Sequence, residues 1–317
     1  MSSRAALGMI LGPALAVSFA CAGSTPNPVT PTSSPRATPS SATGSGPTTI
    51  PSGVGGATAR WSTFGHDAAR SGLAPNEPLF HAVSRRWTSV RLDGSVYGQP
   101  LVVGSWVVVA TEGDTLYGLS STTGEVKWMA HLGTPMSRSD LPCGNIDPSG
   151  ITGTPVVDVD SRTVWVVAFV QPGHHDLVAV DLATGAVKAR RTVDPPGSDP
   201  KEQQQRGALS LLGGSVYVPF GGLFGDCGNY HGYIVSARVD GQSQLTIWQV
   251  PASAQGGLWS TGGAAIDAAG HLFVTSGNSA STSVFDYGNT VLRLGSNLVL
   301  QDWFAPADSP PTAWSAG

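Results

Sequence analysis

Residues 98–128 read "GQPLVVGSWVVVATEGDTLYGLSSTTGEVKW", and the same layout returns three times. It recurs as "GTPVVDVDSRTVWVVAFVQPGHHDLVAVDLATGAVKA" (153–189), "GALSLLGGSVYVPFGGLFGDCGNYHGYIVSARVDGQSQLTIW" (207–248) and "GGAAIDAAGHLFVTSGNSASTSVFDYGNTVLRLGSNLVLQDW" (262–303). The starts, Gly98, Gly153, Gly207 and Gly262, lie 55, 54 and 55 residues apart. Each unit reads as four strands. Strand A is short and apolar (Leu101–Val103, Val156–Val157) and ends in a tight turn such as Gly104-Ser105 or Gly213-Gly214. Strand B is rich in Val, Trp, Tyr and Phe ("WVVVAT", "VWVVAF", "VYVPF", "LFVTS"). Strand C alternates ("TLYGLS", "LVAVDL", "YIVSAR", "TVLRLG"), and a Gly or Asn turn leads to strand D, which often ends on Trp.

Four-stranded units at a fixed period predict an all-β protein, a β-propeller of four-stranded antiparallel blades near 98–131, 153–193, 207–250 and 262–305. A β-sandwich does not explain so regular a recurrence. The units resemble the pyrroloquinoline-quinone-type (PQQ-like) propeller repeat of quinoprotein dehydrogenases, roughly Ala-x-Asp-x-x-Thr-Gly-x-x-x-Trp across strands C and D. "GLSSTTGEVKW" fits at Thr123, Gly124 and Trp128, with Gly118 and Ser120 in place of Ala and Asp. "AVDLATGAVKA" fits at Ala179, Asp181, Thr184 and Gly185, with Ala189 in place of Trp. The third and fourth units keep Trp248 and Trp303. "WSTFGHDAARSG" (61–72) and "QGGLWSTGGAAID" (255–267) also look like members of this superfamily. The resemblance implies the fold; the repeat serves enzymes and non-catalytic scaffolds alike. Its tryptophans read as cement between blades.

"RRWTSVRL" (85–92) reads as a leading strand that closes a ring by serving as strand D of the last blade. The fourth unit already owns a D strand, "NLVLQDWF". The expectation is therefore an incomplete portion, about four blades, of a seven- or eight-bladed ring, within a propeller region spanning 59–317. A closed four-bladed ring is the alternative.

The A–B and C–D turns are short. The D-to-A crossings (132–150, 194–206, 249–261) and B–C loops (171–176, 221–232, 277–289) are long and share the opposite face, where a rigid scaffold places its sites. Cys143 and Cys227, each in a Cys-Gly-Asn triplet, both fall on that face. In an exported chain they read as a disulfide staple. The other readings are a metal site of Cys227 and His231 with Cys143 and His174 or His175, and a free redox pair. Vicinal-cysteine chemistry is excluded, since no adjacent pair exists.

The first residues of the A strands should ring the mouth of the central channel: Gln99, Thr154, Arg206 and Thr261, with Trp259 just before. Arg206 would fork an anionic group and Trp259 would stack on a planar one. Alternatively Arg206 pairs with Glu202 and Trp259 packs between blades. His66, Asp67 and Arg70 read as packing and turn residues. Three functions follow. One is a scaffold that binds a protein or small-molecule partner. A second is a dehydrogenase using pyrroloquinoline quinone with calcium, which needs cations, a stacking ring, a calcium set and a carboxylate base. The elaborated face offers Asp140, Asp147, Asp226, Asp286 and several Asn, but no recognisable calcium set and no assigned catalytic residue. The third is glycan recognition through Phe224, Tyr230 and Tyr287.

The whole sequence has 317 residues, a net charge of −4 and three lysines (Lys127, Lys188, Lys201), so no basic stripe exists to meet nucleic acid. Residues 1–21 read as an export signal. Arg4 precedes the apolar run "AALGMILGPALAVSFA", and Cys21 follows in "VSFAC". This resembles a bacterial lipoprotein signal with Cys21 lipidated and the protein anchored to the outer side of the cell membrane, although Ser18 stands where Leu or Val is usual. Ordinary cleavage after Ala20 or Ala22, with secretion, is the alternative. Residues 22–58, nearly all Ser, Thr, Pro, Gly and Ala, read as a disordered tether.

Overall fold

The structure, a computed structural model, describes residues 60–74, 84–241, 244–281 and 284–306. The expected signal at 1–21 with Cys21, the tether at 22–58 and the last residues, 307–317, lie outside the described residues.

Each unit folds into one antiparallel sheet. The first contains β1 (Arg60–Trp61), β2 (Leu101–Val103), β3 (Trp106–Thr111), β4 (Thr115–Ser120) and β5 (Val126–His131), in that order across the sheet. The second contains β6 (Val156–Asp158), β7 (Thr163–Val170), β8 (His174–Asp181) and β9 (Val187–Thr192). In the third, β10 (Gln203–Gln204) and β11 (Ser210–Leu212) pair with opposite ends of β12 (Ser215–Gly222), followed by β13 (Tyr233–Arg238) and β14 (Thr246–Gln249). The fourth contains β15 (Ala265–Ile266), β16 (Leu272–Thr275), β17 (Val291–Leu294) and β18 (Leu300–Phe304). Among the described residues the only helical pieces are two 3-10 turns, Arg138–Asp140 and Pro200–Glu202.

The residue types explain this layering. All eight residues of β7, "TVWVVAFV", are buried, because both faces of a blade's middle strands meet a neighbouring blade. By contrast β9, "VKARRT", has five of its six residues exposed, as suits an outer edge that its charges protect from further pairing. Between blades 1 and 2 lie Leu101, Val108, Leu116, Val164, Val166 and Val178; between blades 2 and 3, Val156, Trp165, Val218, Phe220 and Val235; between blades 3 and 4, Tyr217, Ile234, Leu272, Leu292 and Leu294. Each such side chain contributes about 1.5–3 kcal/mol on burial.

Trp128 shows the cement at work. Its Nε1 donates to Leu182 O at 3.0 Å in the next blade. A Cβ at Gly118, its cross-strand partner, would sit 2.1 Å from its ring, and one at Gly185 2.7 Å. Ala189 of blade 2 has no ring to offer, and a Cβ at the corresponding turn glycine, Gly241, in blade 3 would meet no described atom within 4 Å.

Residues 85–92, expected to serve as strand D of the last blade, form no strand and pair with none among the described residues. Their backbone lacks a partner strand to complete a ladder. Trp87 nevertheless docks on blade 1 as Trp128 docks on blade 2: its Nε1 donates to Ser121 O at 3.0 Å, and a Cβ at Gly124 would lie 2.3 Å from its ring. Leu92 joins Val109, Tyr117 and Leu119 beneath this segment. The expected loop at 171–176 is also shorter. His174 and His175 open β8, opposite Val170 and Phe169.

The segment 60–74 ties the four A strands together. β1 pairs with β2, Val157 N–H donates to Ser62 O, and Ile266 N–H donates to Ala68 O. Arg70 completes the set. Its guanidinium donates to Ala264 O (3.2 Å), Phe64 O (3.0 Å), Leu209 O (3.0 Å), the Ser210 hydroxyl (2.6 Å) and the Thr63 hydroxyl. Burial pulls Arg70 down to about 10, partly offset by the charge of Asp67, so it stays a cation at neutral pH.

Candidate functional site

Above this segment, on the face of the long loops, lies a cavity of about 540 Å³. Four of the five residues expected at the channel mouth line it: Thr154, Arg206, Trp259 and Thr261. The fifth, Gln99, is turned away. Its Oε1 accepts the Gly65 N–H at 3.1 Å, and its own N–H donates to Thr154 Oγ1 at 2.8 Å. Gln99 thus braces Thr154 against the central segment.

Every blade sends a piece to this cavity. Tyr97 precedes β2; Thr152 and Thr154 precede β6; Gln204, in β10, and Arg206 precede β11; Trp259 and Thr261 precede β15. Phe224 and Asp226 come from the loop after β12, and Asn278 from the loop after β16. Phe64 reaches it from the central segment.

Trp259 is the best-fixed aromatic wall. Its Nε1 donates to Gly222 O at 3.0 Å, and its ring lies so close to Gly221, Gly257 and Gly277 that a Cβ at any of them would come within 2.1–2.5 Å. Tyr230 backs it at 5.9 Å between ring centroids. The indole is therefore positioned before any ligand arrives, which reduces the ordering cost of stacking.

Arg206 is an exposed side chain with no hydrogen bond or ion pair among the described residues. The alternative pairing with Glu202 does not form. That carboxylate accepts the Asn229 N–H at 2.9 Å instead. The acid of the cavity, Asp226, is engaged: Oδ1 accepts the Tyr230 hydroxyl at 2.5 Å, and Oδ2 faces Asn278 Nδ2 at 3.5 Å. Burial, then the Asp226 bond and charge, raises the Tyr230 hydroxyl well above its ordinary range, so it remains a donor.

Cys143 and Cys227 form a disulfide with a Cα–Cα distance of 6.1 Å. It joins the 132–155 crossing to the loop after β12, and residues beside both cysteines (Asn145, Ile146, Gly225, Asp226) line the cavity. Gly144 and Gly228 both have positive φ, 119° and 79°, letting the chain turn beside each cysteine. The sulfurs pack on Met136, Leu141, Phe169 and Leu223. The disulfide expected from the sequence is formed, and with both sulfurs bonded to each other the alternative cysteine-based metal site falls. Of the histidines in that reading (His231, His174 and His175), His175 is buried in β8 with Nδ1 2.8 Å from Asp194 Oδ1 and its ring stacked on Phe169.

The glycan reading loses two of its three aromatics at this site. Tyr230 is buried behind Trp259, and Tyr287 packs with Phe285 and Trp303. Only Phe224 faces the cavity. Phe64, Tyr97, Ile146, Thr152 and Gln204 were not expected there; Gln204, two residues before Arg206, could have been inferred from that spacing.

The lining can be set against pyrroloquinoline quinone with calcium. It offers the quinone a fixed indole and one unpaired cation, against three carboxylates. Calcium takes 6–8 oxygen ligands. Here the lining carboxylate is already held by Tyr230, and among the described residues no three His, Cys, Asp or Glu are grouped to hold a metal. The residues present fit a planar anion and do not fit the quinone–calcium pair.

Comparisons with known proteins agree with this fold. Residues 84–220 match a family model described as outer membrane protein assembly factor BamB. No curated protein matches the chain. A quinohemoprotein alcohol dehydrogenase from Comamonas testosteroni is similar at 17% identity and a TM-score of 0.61, over 80% of this chain and 42% of its own. Another, from Pseudomonas putida HK5, is similar at 15% identity and a TM-score of 0.62, over 80% and 41%. A europium-containing methanol dehydrogenase is similar at 14% identity and a TM-score of 0.51, over 78% and 49%. The chain therefore spans less than half the length of each. At these identities the likeness shows the fold, which is that of a PQQ-like propeller; the resemblance read from Thr123, Gly124 and Trp128 holds.

Proposed function

We propose that this chain is an exported, membrane-anchored PQQ-like propeller that serves as a binding scaffold, and that the cavity on its long-loop face takes a small planar anion. One observation carries the reading: Arg206 presents an unpaired guanidinium to the same cavity as the fixed indole of Trp259. Arginine matches a carboxylate fork with two parallel bonds, and an aromatic acid would present its ring to the indole. Export through residues 1–21 and anchoring through Cys21 belong to the same proposal; they rest on the signal-like sequence and on the tether that follows. Among the described residues no helix is long and apolar enough to cross a membrane.

Equilibrium dialysis of the protein in EDTA against benzoate, phthalate and pyrroloquinoline quinone tests the binding reading. Affinity should rise along that series of one, two and three carboxylates, and Arg206→Gln should weaken it about tenfold, the loss of one charged hydrogen-bonding partner. No binding in EDTA, or binding indifferent to Arg206→Gln, would refute it. For the anchor, fatty-acid labelling that survives Cys21→Ser rules lipidation there out.

The dehydrogenase reading is favoured by the fold it shares with quinohemoprotein alcohol dehydrogenases. The donor set of this cavity does not support it, and no catalytic step is assigned here.

A further inference from the structure

Directly behind one wall of the cavity, the loop between β3 and β4 carries two acids that nothing in the binding proposal uses. Glu112 and Asp114 are 1% and 0% exposed. Glu112 Oε2 accepts the Gly150 N–H at 2.6 Å, and the Thr152 hydroxyl also bonds to this carboxyl. Glu112 Oε1 has no partner, and neither carboxylate oxygen of Asp114 has a hydrogen bond of good geometry, the Phe169 N–H engaging that group only weakly. Three buried acceptor oxygens without a well-aligned donor cannot all belong to carboxylates, because a poorly paired buried charge is too costly. They are accounted for if the pair carries protons. The Asp114 carboxyl also packs tightly on the 150–154 segment: a Cβ at Gly150 would lie 2.8 Å from Asp114 Oδ1.

The same loop holds both flanks of the cavity wall. Glu112 N–H donates to Ser95 O (2.9 Å), two residues from Tyr97, and Ile151 N–H donates to Thr111 O (3.4 Å), leading to Thr152 and Thr154. Four other titratable or charged groups adjoin it. Asp93 accepts the Thr111 and Thr115 hydroxyls (2.7 and 2.5 Å). His131 Nδ1 lies 3.1 Å from the Thr115 hydroxyl. Arg190 is held by Asp176 at 2.9 Å and by Leu132 O, so its charge reaches Asp114 already shared.

We infer that Glu112 and Asp114 form a proton-holding latch: with at least one proton between them they fasten residues 95–97 and 150–154 to blade 1, and loss of the last proton loosens both wall segments. Burial first, then for Asp114 the neighbouring charge of Glu112, raises the pair, Glu112 to about 7 and Asp114 to about 8. The latch therefore opens on the alkaline side. The inference does not rest on any ligand entering the cavity.

Amide hydrogen exchange of the full chain, corrected for intrinsic pH dependence, tests it. Protection of the peptide containing Gly150–Thr154 should drop about tenfold between pH 6 and pH 9, and Asp114→Asn should abolish the drop. Carboxyl 13C shifts of the unmodified protein give an arm that needs no variant. Titration of both Glu112 and Asp114 below pH 5 overturns the inference, as does protection that is flat with pH. A drop that persists in Asp114→Asn also overturns it.

Discussion

Five donors on one guanidinium hold the centre of the molecule together. The acceptors of Arg70 lie up to 194 residues away in sequence, on two other blades, and the side chain is largely buried. Arg70→Lys keeps the charge but not the planar fork, and should cost on the order of 3 kcal/mol in denaturant unfolding, because several buried acceptors lose their donor. A loss under 1 kcal/mol would show that the centre is held otherwise. Gly118 makes the opposite point, that a missing methyl can be structural. Blade 2 has Ala179 facing Ala189, whereas blade 1 has Gly118 facing Trp128. Gly118→Ala should destabilise by about 1–3 kcal/mol through overpacking, and the Trp128→Ala background should relieve part of that cost. The tryptophan's role was readable from the repeat; the bonds of Arg70 were not, since no local pattern reports an acceptor on another blade.

Among the elements, the disulfide ties together two of the loops that line the cavity. It closes a loop of 84 residues, for which chain entropy gives about 4 kcal/mol. Cys143→Ser with Cys227→Ser should lower unfolding stability by up to that amount; an unchanged unfolding midpoint would mean the loops are held by other contacts. The acid-bearing β3–β4 loop sets a pH slope. The folded state of a group with raised pKa binds protons that the unfolded chain has released. Stability should therefore fall as pH climbs from about 4 toward 8, and Asp114→Asn should flatten that fall in thermal melts. The strand pattern was plain in sequence because β-branched and aromatic runs recur between turns. Residues 85–92 looked like a strand for the same reason, but a ladder needs a partner, which composition cannot supply. "QPGHHD" looked like a loop because Pro172-Gly173 breaks the pattern, yet the histidines that follow pair across to β7.

At the scale of the whole molecule, blade 4 presents an outer face that the other blades bury. Trp303, placed in register opposite Leu292 as Trp248 is opposite Ile234, is 47% exposed, and Phe304 is 65% exposed. Such a surface drives association. Sedimentation velocity should show concentration-dependent association that Trp303→Lys with Phe304→Lys reduces; equal association in the variant would place the contact elsewhere. The cavity itself was half legible. Counting from the start of each A strand found Thr154, Arg206, Trp259 and Thr261, because the blades repeat. Tyr97 and Phe64 escaped it, because their place depends on how non-repeating segments fold back over the repeats. The claim that this cavity is a planar-anion site is tested most directly by 15N–1H spectra during titration with pyrroloquinoline quinone in EDTA. The account predicts that Arg206 Nε–H and Trp259 Nε1–H shift together and saturate at one concentration. Both signals standing still while others move, or moving only when calcium is added, would contradict it.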